Sequence, residues 1–182
     1  MRWEDESKET FWLLTLDGLR VGGRVRHEPL PCELCGGGAM ACRAHMIWEC
    51  PPAVAVRGAL QQALARRGCT VVLERKHVWL MHCPDRALHA DLWRVACLAA
   101  VRAIERGRTT AWAVAHVDGQ PLPAVLAADI ACRVALADLA ASVADFAALG
   151  TCRPAARACV LPPQLPLFWV GHPNHAALRV AR

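Results

Sequence analysis

Cys32-x-x-Cys35 constrains this chain more than any other feature, because nine residues separate it from His45 and four separate His45 from Cys50. Two thiolates offered on one side of a tight turn, then an imidazole and a third thiolate from the next short stretch, complete a four-donor tetrahedral zinc shell. The turn runs over Gly36-Gly37-Gly38, where the backbone can bend sharply enough to aim both sulfurs the same way. With every coordination position filled by protein, such an ion staples structure and leaves no place for water or substrate. Cys42, three residues before His45, is the rival for His45's place, and His27 is a weaker one.

The remaining cysteines, Cys69, Cys83, Cys97, Cys132, Cys152 and Cys159, are scattered. The start, Met1-Arg2-Trp3-Glu4-Asp5-Glu6, is charged and lacks the apolar segment of a secretory signal, so an intracellular location, nuclear or cytoplasmic, and reduced thiols are expected. The long charge-free run from 158 to 178 contains Pro162, Pro163, Pro166 and Pro173, which argues against a membrane-spanning helix.

Hydrophobic residues make up 55% of the chain, but alanine supplies much of that share, and with three Phe and no Tyr a thin, helical core is expected. Nineteen Arg against two Lys dominate the positive charge behind the net +5. A guanidinium fork matches phosphate oxygens in pairs, so the bias fits a nucleic-acid partner, although GC-rich coding produces the same bias.

The apolar periodicity predicts a mainly α protein. A helix is expected over residues 8–19, a basic loop from Arg20 to Pro31, a short helix between Cys42 and Glu49, and a longer one opening at Pro51-Pro52 and stopping at Gly68. Cys69 to Leu73 and Val78 to Met81 read as two short strands, the second equally open to a helical turn. Leu88, Leu92, Val95, Leu98, Val101 and Ile104 recur at helical spacing until Gly107, which is expected to end that helix. An alanine-rich helix follows from Pro123 to Leu149, and from Thr151 the chain is proline-rich and irregular. The expected organisation is a CCHC zinc knuckle with its flanking helices (1–68), a helical region (69–150) and an irregular tail (151–182), packed as one unit.

The order of these landmarks resembles the zinc-binding C-terminal region of non-LTR retrotransposon reverse transcriptases. Phe11-Trp12-Leu13-Leu14, the basic stretch Arg20 to Arg26, Cys32-Glu33-Leu34-Cys35-Gly36 and His45-Met46-Ile47-Trp48-Glu49-Cys50-Pro51 carry the likeness. Val78-Trp79-Leu80 and the helix from Leu92-Trp93 to Arg108 extend it, and Ala144 to Gly150 is similar to a tail found in some of these elements.

The resemblance implies an accessory module that handles template RNA or target DNA beside an upstream polymerase domain or partner protein. Polymerase chemistry itself needs paired metal-binding aspartates, and no Asp-Asp dipeptide occurs. A restriction-like nuclease fits poorly, because no Lys follows Pro84-Asp85. Pro31-Cys32-x-x-Cys35 echoes nucleobase deaminases, but His27-Glu28 stands too close to serve as their upstream motif, and no catalytic role is expected.

Phosphate contacts are expected from Arg20, Arg24, Arg26 and Arg43, and base stacking from Trp48. Arg66-Arg67, Arg102, Arg106 and Arg108 read as cations capping helix ends. The alternative function is an assembly scaffold in which zinc only stabilises the fold and the helices between 88 and 149 dock on a partner.

Overall fold

The computed structural model describes residues 30–86, 88–116 and 122–152, together with Glu9. The expected 8–19 helix, the basic residues Arg20, Arg24 and Arg26, and the tail beyond 152 lie outside the described residues. The protein is mainly helical, with the Cys/His cluster near the amino end and the helical region after it. Four helices carry the architecture: α1 (Pro51–Ala65), α2 (Arg75–Trp79), α3 (Ala90–His116) and α4 (Ala124–Cys152). No described helix is long and apolar enough to cross a membrane.

Helix α1 begins where expected, with prolines in its first two positions, where no intrahelical N–H is lost. It ends on Gly68, whose φ of 78° permits the left-handed closure, with Cys69 N donating to Leu64 O at 3.1 Å. Val56, Leu60 and Leu64 recur at i, i+4 and i+8 and face the core.

The two strands expected at Cys69–Leu73 and Val78–Met81 do not form; among the described residues the only bridge is the isolated pair Pro31–Met40. A side chain replaces the missing partner strand. Gln61 of α1 donates to Val71 O at 2.9 Å and accepts from Leu73 N at 2.7 Å, so the amide satisfies the extended segment by itself. Val78 lies instead in α2, which opens on a reciprocal cap. Glu74 N donates to His77 Nδ1 at 2.8 Å, and the Glu74 side chain receives the N3 backbone N–H in return. Trp93 Nε1 then donates to His77 O at 2.9 Å and anchors α2 to α3.

Helix α3 also departs from expectation, since Gly107 does not end it: the helix continues for nine more residues to His116. Gly107 sits mid-helix because α4 crosses there. A Cβ at this position would meet Ala131 O at 2.4 Å and Ala135 Cβ at 2.9 Å, so only glycine allows the two backbones to lie this close. The alanines of α4 serve the same end, with Ala127, Ala131 and Ala135 buried at i, i+4 and i+8 against α3.

Ion pairs set the same crossing. Asp138 of α4 lies between Arg106 at 3.1 Å and Arg102 at 3.7 Å, so these two arginines pair with α4 and do not cap a helix end. Around the crossing Ile47, Val56, Val101, Ile104 and Leu139 form the fully buried centre.

Two glycine substitutions should therefore change stability in opposite directions. Gly107→Ala should lower unfolding free energy by roughly 1–3 kcal/mol through overpacking, despite the helix-propensity gain of up to about 1 kcal/mol. At Gly58 of α1 an added Cβ meets nothing within 4 Å, so Gly58→Ala should stabilise by about 0.5–1 kcal/mol. Urea denaturation of the two variants checks both signs.

Candidate metal centre

Each ligand of the expected shell is delivered by a different backbone device. Cys32 and Cys35 flank a 3-10 turn (Glu33–Cys35) that ends on Gly36 in the left-handed region, with φ at 61° and Gly37 following at 80°. Cys35 N and Gly37 N both donate to Cys32 O, at 3.0 and 3.3 Å, and Cys32 N donates across the loop to Ala39 O at 2.7 Å. The loop thus closes on its own backbone, and Leu34 at its tip is buried against the alanine face of α3 and α4.

His45 and Cys50 come from a five-residue π-helical turn, His45–Glu49, closed by Cys50 N donating to His45 O at 2.8 Å. The wider turn explains the spacing. In a regular α-helix residues five apart point about 140° away from each other, whereas an i→i+5 closure stacks them one turn apart on the same side. Met46 and Ile47, on the other side of the turn, are buried in the main core, so packing holds the π geometry in place.

Cys32 Sγ, Cys35 Sγ, the His45 imidazole and Cys50 Sγ consequently converge, all ligand atoms lying within 4.8 Å of one another, a group able to hold a metal ion. Cys32 Sγ is 3.7 Å from Cys50 Sγ, and Cys35 Sγ is 3.2 Å from His45 Nε2. All four cysteines near the site are free thiols, and Cys42 stands apart from the cluster, exposed, its sulfur accepting from His45 N at 3.4 Å. Cys42 orients the start of the π turn and is not among the converging donors.

Two charged side chains outside the four donors complete the setting. The imidazole turns Nε2 inward and Nδ1 toward Glu49, 3.6 Å away, and Glu49 is in turn 3.5 Å from Arg75. A carboxylate on that side of a ligating histidine favours this ring orientation. Arg108, projecting from α3, reaches Cys50 Sγ at 2.8 Å and Cys32 Sγ at 3.8 Å.

The sulfurs feel one another strongly. Hydrogen bonding with Cys50 pulls the Cys32 thiol well below the usual thiol range, against burial and with help from Arg108. The same bond, with burial, pushes Cys50 upward, and burial followed by the charge on Cys32 raises Cys35.

Arg43 and Trp48, expected to contact nucleic acid, flank this centre. Trp48 is half-buried, with the Arg57 guanidinium 4.4 Å from its ring centroid and Arg57 Nη1 donating to Trp48 O at 3.2 Å. Arg43 lies 5.4 Å from the Trp79 ring, as does Arg75. Glu49 was not read as part of the site, although the His45-x-x-x-Glu49 spacing of one helical turn was a usable signal, and Arg108, expected to cap a helix end, lies instead inside α3 and faces the sulfurs. Arg108 sits 76 residues from Cys32, and no local pattern points to it. No protein-family model, curated protein or solved structure matches this chain.

Among the cysteines near the site, metal content should track the converging donors. Cys32→Ser and Cys50→Ser should lose bound metal by elemental analysis, while Cys42→Ser should retain it. Because the sulfurs coordinate as thiolates, metal loading at neutral pH should release protons, and affinity should rise with pH. Calorimetric titrations in buffers of different ionisation enthalpy measure that proton count.

Proposed function

We propose that this chain is a zinc-stapled module that binds RNA or DNA without catalysis of its own, the accessory part played by the region of retroelement reverse transcriptases that it resembles. The observation that carries the reading is the closed Cys3His cluster. A tetrahedron of sulfurs around zinc has edges of about 3.8 Å, given bonds near 2.3 Å, and the Cys32–Cys50 separation is 3.7 Å. Three soft sulfurs and one imidazole suit zinc, and a shell with no open position suits a structural ion. Bound there, zinc supplies rigidity.

The nucleic-acid half of the reading is supported by what that rigidity holds. Arg57 lies over the Trp48 ring, and Arg43 and Arg75 lie by the Trp79 ring, which pairs three guanidiniums with two indoles. Cations beside aromatic faces serve single strands well, since phosphates take the charge and bases take the rings. Arg20, Arg24 and Arg26 precede the same loop in sequence and add to the expected charge.

A second reading, the helical assembly scaffold, draws on exposed apolar side chains at one end of the helices. Trp112 and Val114 of α3 and Val125 and Leu126 of α4 are all exposed, Val125 to 83%. Concentration-dependent dimerisation in sizing chromatography would favour that reading.

Fluorescence anisotropy against single-stranded RNA and DNA of mixed sequence tests the proposal. Binding should weaken linearly in log–log salt titrations, and the slope should fall by roughly 0.7 for each of Arg57→Met and Arg75→Met on a single strand. Removal of zinc by chelation should weaken binding as well. An absence of binding at low salt to either nucleic acid rules out the nucleic-acid role.

A further inference from the structure

Arg108 is the one residue beside the centre whose placement the structural-zinc reading does not itself require. It belongs to α3, is separated from the metal loop by more than fifty residues, and yet its Nη1 lies 2.8 Å from Cys50 Sγ and 3.8 Å from Cys32 Sγ. Its Nε is buried and has no hydrogen-bond partner, and among the described residues no carboxylate pairs with it. The contrast with its neighbours is sharp, since Arg102 and Arg106 on the same helix share Asp138.

A guanidinium turned inward without a carboxylate is costly unless another anion faces it. The anion available here is the sulfur cluster. Three thiolates and a neutral imidazole around a divalent cation sum to a net charge of −1, and a single guanidinium brings that sum to zero. Arg108 stands one residue from Gly107, where the backbone of α4 leaves no room for a Cβ on α3. The face of the loop it touches also carries Leu34, packed with Ala111, Ala127 and Ala131 of the two helices.

We propose that Arg108 is the counter-ion of the loaded metal centre and the latch through which metal binding fixes the loop onto the α3–α4 pair. Resting on the assignment of a structural zinc, the pairing of Arg108 with the thiolate shell is what seats the loop on the helices. The guanidinium donates to a metal-bound thiolate, which both neutralises the site and lowers the nucleophilicity of Cys50. Loop docking and metal affinity are then two faces of one equilibrium, so whatever removes the ion also loosens the middle of α3.

Zinc affinity measured by competition with a chromophoric chelator, on the full chain, tests the latch. Arg108→Met should bind zinc about 10-fold more weakly or worse, as is usual when an outer partner of a metal site is lost, and Arg108→Lys should recover part of that loss. Hydrogen exchange supplies the second readout. In the native chain, chelation should raise exchange in the middle of α3, around residues 103–112, whereas in zinc-loaded Arg108→Met that segment should already exchange fast and respond little to chelation. Arg94→Met, on the exposed side of the same helix, should match the native chain in both measurements.

Native zinc affinity in Arg108→Met, or a Lys variant no tighter than the Met variant, overturns the latch while leaving the zinc assignment standing. Failure of the native chain to bind zinc at all overturns both. If Arg108→Met loses helicity by circular dichroism with zinc present, Arg108→Gln replaces it in the same comparison with Arg108→Lys.

Discussion

Crowding three sulfurs and an imidazole into a space under 5 Å across is the act on which the amino-terminal half of the structure depends. Left to themselves these groups gain little from one another, because buried thiols make weak hydrogen bonds and a shared charge must be stabilised away from water. The backbone nevertheless adopts two uncommon forms to bring them together, a left-handed glycine pair and a π turn. Glycine enters the left-handed region freely but loses more conformational freedom on folding than any other residue, and a π turn is rare. A bound metal ion would reverse the balance: coordination would turn an unfavourable cluster into the strongest set of contacts in the loop, and binding free energy would become folding free energy.

The helices answer a different constraint, which is how to hold a core together with small side chains. Each alanine removes little apolar area from water, so stability depends on bringing backbones close enough for many weak contacts. Gly107 and the row Ala127, Ala131 and Ala135 supply that closeness, and Ile104 and Leu139 fill what remains. Asp138, its side chain 8% exposed and lying between Arg102 and Arg106, adds direction more than strength. A buried ion pair contributes little net stability, but a slipped register would leave its carboxylate without a cation.

Where the sequence was readable, it was so for local reasons. Metal spacing is set by one turn and one loop, so Cys32, Cys35, His45 and Cys50 are visible in a window of nineteen residues, and the prolines at 51 and 52 mark a helix start by their own geometry. Whatever depends on a distant neighbour was hidden. A glycine inside an apolar period looks like a stop unless one knows that another helix crosses there, as it does at Gly107. The β-branched run near Val71 looks like a strand unless one knows that Gln61 satisfies its backbone. His45 and Cys42 compete on spacing alone, and only the π turn separates them, since it carries His45 and Cys50 to one side and leaves Cys42 outside, exposed.

The arginine bias gains a structural explanation by the same route. Composition suggested either phosphate binding or a coding bias, yet several of these residues are engaged within the fold. Arg108 faces sulfur, Arg102 and Arg106 share Asp138, Arg57 holds a carbonyl and an indole face, and Arg94 and Arg133 pair with carboxylates on their own helices. Lysine would serve poorly in most of these places, because a compact ammonium neither stacks on a ring nor reaches two acceptors with one planar fork. Beside the metal loop, Arg57 lies over the Trp48 ring, Arg43 and Arg75 lie by the Trp79 ring, and Arg75 is also 3.5 Å from Glu49. Any attraction of this group to a polyanion would depend on whatever keeps that loop folded.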